Sequence, residues 1–230
     1  METRIVKVRG GKKEDVLSKK HNIFIGISMG NKWFTKEHIK EYIEWALKNT
    51  KEKVLIWIAD KIHAVNYEVK NNQSHENALK RALREGDKKM IIIKEMIQEL
   101  SKKERERIDI ARWGDLEVLN YHIKLKDFFH EKFSKDKKFK ESVLDVVTST
   151  ISLSFTNTQI EKLSEYVLNE LPEILATFTF KGVEYGCYPY PINTNVAAFV
   201  EKIQDKEIFP EIAKELKFKN MVCVQLEIIK

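Results

Sequence analysis

Residues 22–58 constrain the fold more tightly than any other part of the chain. The run 22–27 (NIFIGI) is apolar and of strand length, Ile39, Tyr42, Ile43, Ala46 and Leu47 then recur at helical spacing, and 54–58 (VLIWI) is a second apolar run. Thr35, just before the helical pattern, is a residue type that caps helix N-termini. Two strands joined by a helix within about 40 residues form a parallel βαβ unit, because parallel neighbours need a crossover. Such units build an α/β sheet with right-handed connections.

The rest of the chain fits that class. Helical patterns cover 74–85 and 88–100, divided by Gly86, and 107–113 alternates as a strand does. A basic helical stretch runs over 116–148, and another helical stretch, 159–178, carries Pro172. Val183–Tyr190 and 221–228 are the remaining expected strands, with a helix over 195–203 between them. Residues 1–20 are polar and Lys-rich, with Gly10 and Gly11 together, and read as a flexible or weakly docked arm. The expected single domain is 21–230. With 43% hydrophobic residues in 230, one substantial core is within reach.

Composition narrows the function. The net charge of +6 favours polyanionic partners. No apolar run approaches the ~18 residues of a membrane span. Cys187 and Cys223 have neither the number nor the spacing of a zinc site or a disulfide framework, and the start lacks the apolar core of a signal peptide. The expectation is a cytoplasmic protein without membrane contact, metal or cofactor.

Gly26-Ile27-Ser28-Met29-Gly30 fits a G-x-S-x-G pattern at a strand end before a helix. The flanking glycines permit a tight turn and close approach of an acyl group, and the amides of Gly30 and Asn31 follow the serine as an oxyanion hole would require. Two readings stand: Ser28 is a nucleophile, or it caps a helix in a flexible turn. An α/β-hydrolase would need serine, acid and histidine in that order. Here the last histidine is His130, no HGGG-type element precedes the serine, and only one strand does. The proton of Ser28 is therefore not expected to pass to a histidine.

Tyr166-Val-Leu-Asn-Glu170-Leu-Pro172 resembles the Tyr-x-x-x-Glu-Leu-Pro stretch of cyclodipeptide synthases. Gly26-Ile-Ser28-Met-Gly30-Asn31 and Cys187-Tyr188-Pro189 resemble two further motifs of that family, in the family's order, and together they bracket most of 22–230. The resemblance implies a Rossmann-like parallel sheet flanked by helices, similar to the catalytic domain of tyrosyl- and tryptophanyl-tRNA synthetases. It implies a monomer that uses two aminoacyl-tRNAs to form a cyclic dipeptide, a 2,5-diketopiperazine, without ATP; neither a HIGH-like nor a KMSKS-like element is present. It implies that Ser28 accepts the first aminoacyl group, that Tyr166 and Glu170 contact its amino group, and that Tyr188 takes part in catalysis. Gly26, Gly30 and Asn31 would border the substrate. Pro189 matches the branch with Pro after the last tyrosine, whereas Asn31 matches the other branch. Tyr190 competes with Tyr188, since it also precedes a proline and shares its strand face.

Physical chemistry supports part of this independently. Tyr166 and Glu170 are i and i+4 on one helix, so both reach one spot, and a partly buried carboxylate there binds an ammonium group or acts as a base. Seen alone, Glu170 reads rather as a surface residue of an amphipathic helix. Glu173 lies one turn further and, if it lines the pocket, calls for a polar first amino acid, with histidine the leading choice; the other reading turns it to solvent. Lys80, Arg84 and Lys88, with Arg81 and Lys89 beside them, form a basic ridge suited to phosphates, where the family has its tRNA-binding helix. A second cluster, Lys132, Lys135, Lys137, Lys138 and Lys140, reads rather as a solvated face. The rivals are a serine hydrolase or esterase, and a catalytically inactive synthetase-like tRNA-binding module.

Overall fold

The computed structural model describes residues 2–151, 155–191 and 194–229. In chain order the strands are β1 (Glu2–Arg9), β2 (Asn22–Ser28), β3 (Val54–Ala59), β4 (Ile108–Arg112), β5 (Phe178–Phe180), β6 (Val183–Tyr190) and β7 (Val222–Ile229). The helices are α1 (Lys13–Leu17), α2 (Lys36–Asn49), α3 (Ala64–Asn71), α4 (His75–Gln98), α5 (Lys102–Arg105), α6 (Trp113–Leu116), α7 (Asn120–Lys135), α8 (Lys137–Thr150), α9 (Asn157–Leu175), α10 (Asn195–Gln204) and α11 (Pro210–Leu216). A 3₁₀ turn, Lys61–His63, leads into α3.

The sheet runs β1-β7-β6-β2-β3-β4, with β5 paired to β6. β2, β3, β4, β6 and β7 are parallel, while β1 and β5 run antiparallel to their neighbours. From β2 the chain moves outward through β3 to β4 and later returns to the other side for β6 and β7. Strand order therefore reverses between β2 and β6, and a crevice opens at the carboxyl ends of those two strands.

Alternate residues of the central strands serve two cores. Phe24, Leu55 and Trp57 pack with α7 to α11, while Ile23, Ile25, Ile56 and Ile58 pack with α2 and the end of α4. Both faces are covered, as parallel sheets require.

Several elements differ from the sequence expectation. Residues 2–9 are not an arm: β1 pairs antiparallel with β7, from Glu2 opposite Ile229 to Arg9 opposite Cys223. As an edge strand it carries charge and a bulge between Ile5 and Lys7, both of which mask the strand signal. Gly10 ends it at φ +67, where a side chain would strike the Met221 carbonyl. Gly86 does not divide two helices, because α4 is continuous from His75 to Gln98. A Cβ at Gly86 would lie 2.7 Å from the Asp60 Cβ, so the glycine makes room for the ion pair of Asp60 with Arg112. The basic stretch 116–148 breaks at Asp136, which caps α8 by accepting from the amides of Lys138 and Phe139. Helix α9 stops at Leu175, and Ala176 turns extended toward β5. Helices α1, α3, α5, α6 and α11 and strand β5 lie outside the elements the sequence pattern predicts.

Candidate active site

Ser28 is the last residue of β2, and Tyr188 and Tyr190 lie at the end of β6, so the three flank the crevice where strand order reverses. Helix α9 crosses above and adds Tyr166 and Glu170. These five side chains line one cavity of about 420 Å³. Gly26 stands behind its wall: a Cβ there would lie 3.0 Å from the Tyr188 ring and 3.2 Å from its hydroxyl, so the glycine lets that ring lie on β2.

The loop after Ser28 is pinned at several points. Asn31 Oδ1 accepts from the Trp33 amide at 2.9 Å, and Asn31 Nδ2 donates to the Tyr190 hydroxyl at 3.3 Å. The Trp33 ring stacks on His38 at 4.4 Å. Lys89 donates to the Phe34 carbonyl at 2.6 Å.

Burial dominates the electrostatics. It raises the Glu170 carboxyl to about 7, helped by the charge of Glu173, so at neutral pH this group exchanges a proton readily. Burial and Glu170 together hold the Tyr166 phenol well above its ordinary value, against the Ser28 hydroxyl, which lowers it. Tyr188 is held up in the same way, burial first. Tyr190 is pushed up to about 12 by burial and Glu170, with Asn31 and Ser28 working against it. Both tyrosines of β6 thus share the cavity with Ser28, with ring centroids 5.6 Å apart.

Glu173 does not line this cavity. It is fully buried one turn along α9, where it accepts from the Tyr121 hydroxyl at 3.1 Å and pairs with His122 Nδ1. The imidazole that the sequence reading sought in a substrate is supplied by the chain itself. Burial raises this carboxyl too, against the hydrogen bonds of His122 and Tyr121.

His63 escaped the sequence reading altogether. Its ring lines the cavity and lies so close to Gly30 that a Cβ there would come within 2.7 Å of it. Asn66 Nδ2 lies 3.4 Å from its Nδ1. Burial, with Lys70 and Arg81 adding to it, lowers its pKa to about 4, which leaves it neutral. Among the described residues no carboxylate orients it, so it does not complete a Ser-His-acid triad there. Lys32 and Lys70 line the same cavity, and among the described residues neither forms an ion pair. The signal that would have found His63 is its place just past the carboxyl end of a parallel strand.

The basic ridge is divided. Lys80, Arg84 and Lys88 are exposed on α4, but each stands beside a glutamate of that helix, Glu76 or Glu85. Arg81 lies over the Tyr67 ring at 4.1 Å. Lys89 leaves the ridge to hold the Phe34 carbonyl. In the second cluster Lys132, Lys135, Lys137 and Lys140 all face carboxylates, as a structural surface does.

The family described as Cyclodipeptide synthase matches residues 6–208. The chain belongs to the cyclodipeptide synthase family. It is thus an enzyme of the aminoacyl-tRNA-using transferase class, which decides against the esterase and against a module without activity. No curated protein sequence matches it. Among solved structures, a cyclodipeptide synthase from Bacillus thermoamylovorans is 23% identical, with 94% of this chain and 93% of that one covered at a TM-score of 0.77. The cyclodipeptide synthase from Candidatus Glomeribacter gigasporarum bound to Phe-tRNAPhe is 16% identical over 90% of this chain and 87% of that one, TM-score 0.60. The tyrosyl-tRNA synthetase of Archaeoglobus fulgidus with L-tyrosine shares the fold at 10% identity, covering 96% of this chain and 60% of the synthetase, TM-score 0.59. No helix among the described residues of this synthase is long and apolar enough to cross a membrane.

Proposed function

We propose that this synthase joins two aminoacyl groups by ping-pong acyl transfer through Ser28. The observation that carries the reading is the placement of Ser28 at the strand-order reversal, in one cavity with Tyr166, Tyr190 and a Glu170 carboxyl that titrates near 7.

Ser28 Oγ attacks the ester carbon of the first aminoacyl-tRNA. The ribose oxygen leaves with the electron pair of the broken bond and takes up a proton, so the serine proton ends on the tRNA hydroxyl. The ester is already activated, and no ATP is consumed. Glu170 then accepts a proton from the bound α-ammonium group, which frees the amine to attack the second aminoacyl-tRNA. The second ester bond breaks, its tRNA leaves as a ribose hydroxyl with the proton lost by the attacking amine, and a dipeptidyl ester now sits on Ser28. Its terminal amine attacks that ester, the six-membered ring departs, and Ser28 Oγ recovers a proton. Tyr166, one helical turn from Glu170, positions the amine. The amides after Ser28 face the developing oxyanion, and Tyr188 and Tyr190 supply hydroxyls on the opposite wall.

Pro189 supports the branch with Pro after the tyrosine. The bond from Asn31 to Tyr190 gives that asparagine a role in either branch. The far half of the cavity, with Val147, Leu163, Val167 and Val200, supports an apolar side chain in the product.

The test is incubation with a mixture of all charged tRNAs, followed by mass spectrometry for cyclic dipeptides and for an aminoacyl adduct on the intact protein. Wild type is expected to give both and Ser28→Ala neither, with its fold retained. Undiminished ring formation by Ser28→Ala would falsify the covalent route.

A further inference from the structure

The basic ridge on α4 does not line the cavity of Ser28, and its exposed cations already have glutamate neighbours. Between ridge and serine lies a second group that the reaction scheme leaves unused. Lys32 and Lys70 line the cavity beside Ser28 and form no ion pair among the described residues. His63 shares that wall, next to Gly30 and edge-on to Tyr166 at 6.3 Å between ring centroids. Its other neighbours are Tyr67, at 4.9 Å, and Arg81, which rests on Tyr67.

The proton on His63 follows from Asn66. An amide nitrogen has hydrogens to give and no lone pair to offer, so Asn66 Nδ2 at 3.4 Å donates to Nδ1. The imidazole proton then sits on Nε2, which has no partner among the described residues. Burial, with the neighbouring Lys70 and Arg81 adding to it, keeps the ring uncharged. His63 is thus a neutral donor with a vacant hydrogen bond at the edge of the acyl site.

The chemistry of these groups matches the parts of a charged tRNA end. Along the substrate the acyl carbon is followed by the terminal ribose and then by phosphates. One cavity holds groups of each matching kind: the Ser28 hydroxyl, the His63 ring beside Gly30, and the ammonium groups of Lys32 and Lys70. Resting on the acyl-transfer reading above, we propose that His63, Lys32 and Lys70 form the subsite for the 3′-terminal nucleotide. His63 Nε2–H donates to the ribose hydroxyl vicinal to the ester, and the two lysines hold the adjoining phosphate. His63 is a positioning residue here: it fixes the leaving ribose so that the ester faces Ser28.

A cycle of substrate and protein changes tests this. Aminoacyl-tRNA ending in ordinary adenosine is compared with the same tRNA ending in 2′-deoxyadenosine, in wild type, His63→Ala and His63→Gln, by kcat/KM for tRNA release. Loss of one neutral hydrogen bond slows wild type roughly tenfold when the 2′-hydroxyl is removed. His63→Ala slows the ordinary substrate by a similar factor and becomes indifferent to the 2′-hydroxyl. His63→Gln, which keeps a donor, stays sensitive to it. Losses that multiply in His63→Ala would overturn the proposal, because a merely structural histidine gives that result; so would a wild type indifferent to the 2′-hydroxyl. A wild type inactive on ordinary aminoacyl-tRNA sinks the acyl-transfer reading itself, which is a separate outcome. In the same assay Lys32→Ala and Lys70→Ala raise KM and each flatten its salt dependence by a slope of about 0.7. An unchanged slope in both removes the lysines from the subsite.

Discussion

Glu170 and Glu173 lie one turn apart on α9, the first half-buried at a cavity wall and the second fully buried, and the chain treats them in opposite ways. Glu173 has its counter-groups built in, His122 and Tyr121, and is sealed beneath them. Glu170 faces a cavity, has no hydrogen-bond partner among the described residues, and has its pKa pushed to about 7. A buried carboxylate without a partner costs stability, so its retention at a cavity wall marks a group kept for chemistry. A buried carboxylate with partners marks a joint, here between α9 and α7. Burial alone does not distinguish an active group from a structural one; the partners do.

The contrast is sharpest in rate. Glu170→Gln is expected to lower kcat for ring formation about 10²- to 10⁴-fold, the usual worth of a positioned base, while Tm holds or rises. The wild-type rate climbs as pH passes about 7 and the variant's does not. A variant that loses Tm and keeps its rate would reverse the two roles.

Next is stability. His122→Phe leaves the Glu173 carboxylate buried without its partner, at a cost of about 3–5 kcal/mol, or a Tm lower by roughly 10 °C for a chain of this size. Adding Glu173→Leu recovers most of it, because an apolar pair of similar volume is tolerated there. Glu173→Leu alone provides the sharper reading. If thermal melts show it as stable as wild type and mass spectrometry shows a changed ring composition, Glu173 belongs to the substrate pocket after all.

The smallest effect is in the pH dependence of stability. The folded pKa of Glu170, about 7, lies above the ordinary value of 4.5. Between those values the folded chain holds a proton that the unfolded chain releases, so stability falls as pH rises, by at most about 1.4 kcal/mol per unit. Glu173 contributes in the same direction. Urea titrations at several pH values should show a shallower slope in Glu170→Gln; an unaltered slope would mean that Glu170 is ionised in the folded state throughout.

The parts of this site that can be read from sequence are those set by local periodicity. The βαβ unit puts Ser28 at a strand end, and the four-residue spacing puts Tyr166 beside Glu170. What sequence hides is set by contacts across the fold. Glu173 reads as a pocket or surface residue because nothing in the chain's order shows that His122 waits for it 51 residues earlier. Gly86 resembles a helix end because its neighbour, Asp60, belongs to another element. β1 resembles a loose arm because an edge strand needs charge, and charge conceals strand alternation. His63 has no periodic signature, being in a short turn whose meaning comes from the strand before it.

The loop after Ser28 also has an optical consequence. Trp45, Trp57 and Trp113 are buried, each less than one tenth exposed, whereas Trp33 is half-buried in the loop that holds Asn31. A dissolved quencher such as iodide therefore reaches one indole of four. The accessible fraction of the intrinsic fluorescence reports that loop alone, against a constant background from three silent emitters, and a substrate that covers the loop registers as lost quenching without any label.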